Sequence, residues 1–74
     1  MDKEEIRAVI EEAVIGIDLS NVEDDERFEE IGIDSLDHAS ILLIVEEKSG
    51  KKIPDEALQE CSSIAGIVSF LKDA

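Results

Sequence analysis

Ser35 is the residue of this 74-residue chain with the most chemistry within reach. It stands between Asp34 and Leu36, with Asp37 two residues on and His38, the only histidine, three residues on. A hydroxyl and an imidazole at i and i+3 share a helical face, so the pair first raises nucleophilic catalysis. The surroundings argue against it. No G-x-S-x-G elbow and no oxyanion loop accompany the serine, and the base lacks an evident orienting group and sheltered pocket. His38 reads instead as an exposed residue of the helix surface. A second use of a hydroxyl at a helix start is to accept a group delivered by another enzyme, which spares the chain from supplying a base. The third is plain capping, the ordinary role of such a residue. Cys61, the only cysteine, forms no disulfide within the chain and stands in no zinc spacing. It reads as a half-buried thiol outside any catalysis. The acidic run Glu23-Asp24-Asp25-Glu26 lacks the order of a calcium loop, so no metal ligands are expected.

Helices must position these residues. One runs from Asp34 to about Lys48, with Asp34 and Asp37 at N-cap and N3 spacing and both carboxylates at the positive end of the helix dipole. Its middle, Ile41-Leu42-Leu43-Ile44-Val45, is apolar on nearly every side. Such a helix is either buried on most sides or keeps part of its apolar surface for a partner or cargo. A buried strand competes for the same five residues, but the cap and the helical flanks disfavour it. Upstream, Ile6, Val9, Ile10, Ala13 and Val14 share one face of a helix predicted from about Lys3 to Ile15, opened by an Asp2/Glu5 capping box and stopped near Gly16. Residues 17–33 read as a long connection that Phe28 and Ile31 pin to the core; a loop of that length is often functional. Beyond Ser49-Gly50, Pro54-Asp55-Glu56-Ala57-Leu58 has the first-turn proline and acids of a short helix. Ser62 or Ser63 caps a last helix with Ile64, Ile67, Val68 and Leu71 on one face. Gly66 costs that helix about 1 kcal/mol relative to alanine, which points to close packing there. The expectation is an all-α four-helix bundle in one domain over residues 1–74: three longer helices, one short, and a long first loop.

The charge balance narrows the partners. Twenty acidic residues against seven basic give −13. Nucleic acid needs clustered Lys and Arg, and an anionic membrane surface repels such a chain. The run Ile41–Val45 is too short to span a bilayer, so no stable membrane insertion is expected. A basic protein patch would be attracted at long range, although the same charge also serves plain solubility. With 43% hydrophobic residues and only two aromatics, Phe28 and Phe70, the core must be aliphatic. The lone cysteine and the lack of a basic-then-apolar leader fit a reducing, cytoplasmic setting.

Gly32-Ile33-Asp34-Ser35-Leu36 resembles the G-x-D-S-L phosphopantetheine attachment motif of acyl carrier proteins of the free-standing type. Phe28 and Ile31, the apolar helix ending in Glu46-Glu47, Ile53-Pro54-Asp55-Glu56 and Ser62-Ser63-Ile64 fall at that family's spacing, so the resemblance spans the chain. It implies a carrier and not an enzyme. Ser35 would take a covalent 4'-phosphopantetheine from coenzyme A, through a phosphopantetheinyl transferase, and present acyl groups as thioesters to biosynthetic enzymes of a fatty-acid or specialised lipid or polyketide pathway. Asp34 would be the motif acid and N-cap. Leu36, Ala39 and Leu43, rimmed by Asp37, Glu46, Glu47, Asp55 and Glu56, would meet partner enzymes with basic docking patches. Ile41, Leu42, Val45, Ile64 and Val68 would line a core that shelters the acyl chain. The carrier would be a monomer. Ser40-Ile41 replaces the usual acid and leucine, and with His38, Lys48, Lys51 and Lys52 it points to a dedicated pathway. An acidic helical interaction module without a prosthetic group is the alternative.

Overall fold

The computed structural model describes residues 1–73. Three α-helices, α1 (Lys3–Ala13), α2 (Ser35–Ser49) and α3 (Ile64–Asp73), are joined through 3-10 turns at Phe28–Ile31 and Asp55–Ala57. No strand occurs among the described residues, so the apolar run of α2 is helical.

The capping box opens α1: Asp2 Oδ1 accepts from the Glu5 amide at 3.0 Å, and Glu5 Oε1 from the Asp2 amide at 3.2 Å. The helix buries Ile6, Val9 and Ile10 and stops at Ala13, short of the predicted Ile15. Val14 turns extended, Ile15 is 94% exposed, and Gly16 takes φ +88°. Two successive β-branched residues weaken the helix there, and the reversal at Gly16 lets Ile17 and Leu19 return to the core.

The first connection is tied to two helices. Arg7 of α1 donates to the carbonyls of Leu19 (3.0 Å) and Val22 (2.7 Å) and to Asp24 Oδ1 (2.7 Å), with Lys3 Nζ 3.5 Å from the other carboxylate oxygen. Further along, the Phe28 amide donates to the Ser62 carbonyl and the Ala65 amide to the Asp24 carbonyl, both at 2.8 Å. These bonds stitch the connection to the start of α3. Phe28 is fully in the core, whereas Ile31 packs against it half-buried.

α1 packs on both α2 and α3. The core is aliphatic apart from Phe28: Ile6, Val9 and Ile10 meet Ile41, Leu42 and Val45 of α2 and Ile64, Ile67 and Leu71 of α3. Cys61 is fully buried among them. Burial pushes its thiol up to about 11, helped by the nearby Glu60 charge.

The short helix expected at residues 54–58 is a single 3-10 turn, Asp55–Ala57, running into a turn that ends at Cys61. Ala57 and Cys61 are its only buried residues, four apart and linked by the Cys61 amide to the Ala57 carbonyl, so one turn satisfies both. Ser63 caps α3, its Oγ accepting from the Gly66 amide at 3.0 Å. A Cβ at Gly66 would overlap the Glu60 carbonyl oxygen, which accounts for glycine in this helix.

Candidate functional site

Asp34 takes the N-cap of α2, its Oδ1 accepting from the Asp37 amide at 2.8 Å. Ser35 is therefore the first helical residue and not the cap. Its side chain is exposed, and among the described residues no hydrogen bond engages its hydroxyl. Asp34 with φ −83° and ψ 178° brings the chain in extended, so the serine stands at the exposed edge of the helix start. Unpaired backbone amides point outward there, a favourable place for an anion.

Beside Ser35 lies a cleft of about 200 Å³ between the start of α2, the Phe28 turn and the segment 58–62. Phe28, Ile33 and Leu58 give it apolar walls, and Ser35, His38 and Ser62 give it polar ones. His38 is half-buried and not on the exposed surface that the sequence predicted. Its Nε2 lies 2.8 Å from the Cys61 carbonyl oxygen, and its ring meets Phe28 edge-on at 5.2 Å between centroids. Those partners come from elements 23 and 10 residues away and draw the imidazole off the helix surface into the cleft wall. An exposed hydroxyl at a helix start beside a partly apolar cleft fits an attached phosphodiester with an arm of mixed polarity.

The apolarity of α2 divides between two faces. Ile41, Leu42 and Val45 are buried, while Leu36 is 75% and Leu43 57% exposed, with Ala39 exposed between them. Across the cleft Leu58 is 43% exposed. Of the candidate rim acids, Glu47, Asp55 and Glu56 are exposed and Asp37 is half-buried. Glu46 turns to its own chain, where its Oε2 accepts from the Ile53 amide at 2.6 Å and fixes the backbone after Gly50. Lys51 likewise turns inward, its Nζ donating to the Leu71 carbonyl at the end of α3. Lys48 Nζ lies 3.9 Å from Glu12. Val68 packs half-buried against the core that Ile41, Leu42, Val45 and Ile64 form.

Two carboxyls of the long connection are held below the usual range. The Arg7 guanidinium does this for Asp24, and hydrogen bonds from the Ser20 hydroxyl and amide do it for Asp18. Arg7 and the His38–Cys61 bond were not legible as contacts in the sequence. A lone arginine on the polar side of α1, facing a loop rich in acids, was the available signal for the first.

Residues 4–71 match the family described as phosphopantetheine attachment site. The chain is 34% identical over 71 residues to the acyl carrier protein of Helicobacter pylori strain G27, covering 95% of this chain and 90% of that protein. The acyl carrier protein of Helicobacter acinonychis strain Sheeba gives the same identity and coverage. Identity rises to 49% with the mitochondrial acyl carrier protein of Dictyostelium discoideum, over 45 residues that make up 61% of this chain and 38% of the longer relative. The chain belongs to the acyl carrier protein family and carries that family's phosphopantetheine attachment site. Members of that family are carriers of acyl groups and not catalysts. No helix among the described residues is long and apolar enough to cross a membrane.

Proposed function

We propose that residues 1–74 form one carrier domain with Ser35 as the attachment residue. The observation that supports this most is the exposed Ser35 hydroxyl at the first position of α2, relieved of capping duty by Asp34. When attached, 4'-phosphopantetheine supplies a terminal thiol that holds acyl groups as thioesters. The chain's own residues bind, orient and shelter. Asp34 fixes the start of α2, so the Ser35 hydroxyl is offered on a rigid backbone to a phosphopantetheinyl transferase bringing coenzyme A and Mg²⁺. The free amides of the first turn favour the phosphate's charge. Leu36, Ala39 and Leu43 supply an apolar contact strip, and Asp37, Glu47, Asp55 and Glu56, with what Glu46 has left to share, draw basic patches of acyl-synthesising and acyl-transferring enzymes toward it. The aliphatic core behind the cleft, Ile41, Leu42, Val45, Ile64 and Val68, receives the acyl chain as cargo. The carrier works as a monomer in the cytoplasm. Its pathway is fatty-acid synthesis or a specialised lipid or polyketide route; Ser40 on α2, where an acid is usual, favours the specialised one.

Intact-protein mass spectrometry tests the assignment. Incubation with coenzyme A, Mg²⁺ and a broad-specificity phosphopantetheinyl transferase should add one phosphopantetheine to the parent and none to Ser35→Ala. A folded parent that gains nothing leaves the acidic interaction module as the better reading.

A further inference from the structure

The imidazole of His38 has its tautomer chosen for it. The Cys61 carbonyl oxygen can only accept, so in the neutral ring the proton sits on Nε2 and Nδ1 carries a bare lone pair. No hydrogen bond engages Nδ1 among the described residues, and no side-chain nitrogen or oxygen among them is both buried and unpartnered. Nδ1 is therefore unengaged and not sealed from solvent. The edge contact with Phe28 and the bond to Cys61 hold the ring in place, one turn along α2 from Ser35 and in the wall of the cleft that Ser35 itself lines. A fixed ring with one unengaged acceptor is a receptor for a hydrogen-bond donor. It is a poor one for a phosphate, whose oxygens at neutral pH only accept.

We infer that His38 is a positioning residue for the prosthetic arm: its Nδ1 accepts from a hydroxyl or amide N–H of the pantetheine part and lays the arm in the cleft between α2 and Leu58–Ser62. This rests on Ser35 being the attachment residue. The chemistry fits at each end. The pantetheine part offers a hydroxyl and two amide N–H donors, and its gem-dimethyl group suits the apolar walls of Phe28, Ile33 and Leu58. The charged neighbours leave the role to His38. Of the charged residues that line the cleft, Arg27 and Glu29 pair with each other at 3.0 Å and the Asp34 carboxylate accepts from the Asp37 amide, while Asp37 and Glu60 do not line it.

The test is nuclear magnetic resonance on protein loaded with arm from isotope-labelled coenzyme A, loading having been verified by mass. His38→Gln is the companion variant, because its side-chain amide can still donate to the Cys61 carbonyl but has no acceptor where Nδ1 lies. In the unloaded parent the neutral ring should show Nε2 protonated and Nδ1 bare. Loading should shift the Nδ1 resonance as it gains a donor, and arm methyl protons should show cross-relaxation with Phe28 and Leu58. In loaded His38→Gln those cross-peaks should vanish while the fold's spectrum is kept. An Nδ1 proton in the unloaded ring, or an arm that tumbles freely in the loaded parent, overturns the inference and leaves Ser35 attachment standing. No mass gain at all removes the attachment reading and the inference together.

Discussion

Gly66→Ala sets two effects of opposite sign against each other. Removing glycine from a helix gains up to about 1 kcal/mol of propensity. Against this, the new Cβ would overlap the Glu60 carbonyl oxygen and come within 3.1 Å of Ser63 Oγ. The obstructing atom is main chain, so no side chain can swing aside. Relief requires the 58–61 turn or the start of α3 to move. Forced packing of this kind costs about 1–3 kcal/mol, toward the upper end where backbone must yield. The movement also strains the hydrogen bond that the Cys61 amide donates to the Ala57 carbonyl (3.0 Å) and the His38 contact with the Cys61 carbonyl (2.8 Å), each worth about 1 kcal/mol. The balance is a net loss of about 2–3 kcal/mol from a total on the order of 4–11 kcal/mol for a domain this size. At about 4–8 °C per kcal/mol, the melting midpoint should fall by roughly 10–20 °C. Thermal and urea unfolding followed by circular dichroism measure it. Unchanged or raised stability would refute the claim that close backbone approach placed glycine there.

Arg7→Met keeps the aliphatic stem but abandons two loop carbonyls, and should cost on the order of 2 kcal/mol in urea unfolding. It should also change the acid limb of the stability profile. Asp24 has a lowered pKa in the folded state, so its contribution is complete above its ordinary value of 3.8 and is lost as pH falls through the folded value. Subtracting the variant's profile from the parent's should leave a difference that shrinks across that window; a flat difference would discount the Arg7–Asp24 pair. Leu36→Ala should change stability by less than about 0.5 kcal/mol, because Leu36 is 75% exposed, while weakening capture by partner enzymes. A stability loss matching a core truncation would place Leu36 in the core. Raising salt from low ionic strength should raise the melting midpoint, since a −13 charge on a body of 28 × 22 × 18 Å repels itself over distances comparable to the Debye length of about 10 Å at 0.1 M.

Local chemistry was legible in the sequence. The Asp2/Glu5 box, the Asp34 cap, the halt at Gly50 and the crowding at Gly66 each follow from residue types a few positions apart, and the structure reproduces them. The apolar run of α2 announced two faces without saying which residues lay on each; only packing against α1 separates Ile41, Leu42 and Val45 from Leu36 and Leu43. Contacts made across many residues were not legible. Arg7 meets its partners 12 to 17 residues away, His38 meets Cys61 23 away, and Glu46 meets Ile53 seven away around a turn. Periodicity likewise carried α1 through Ile15, because a pattern of apolar residues does not register that the chain must double back to bring Leu19 home.

The Arg7 contacts bear on how this loop tolerates change. Two of the three end on main-chain oxygens, those of Leu19 and Val22, which every amino acid presents alike. The exposed positions Ser20, Asn21 and Glu23 are thus free to vary in identity without loosening the grip. Length is another matter. Inserting or deleting one residue between Leu19 and Asp24 would carry a carbonyl out of the guanidinium's reach and misplace the Asp24 oxygen that receives the Ala65 amide. Substitutions should accumulate easily in this stretch and gaps should not, so its spacing is under tighter constraint than its spelling.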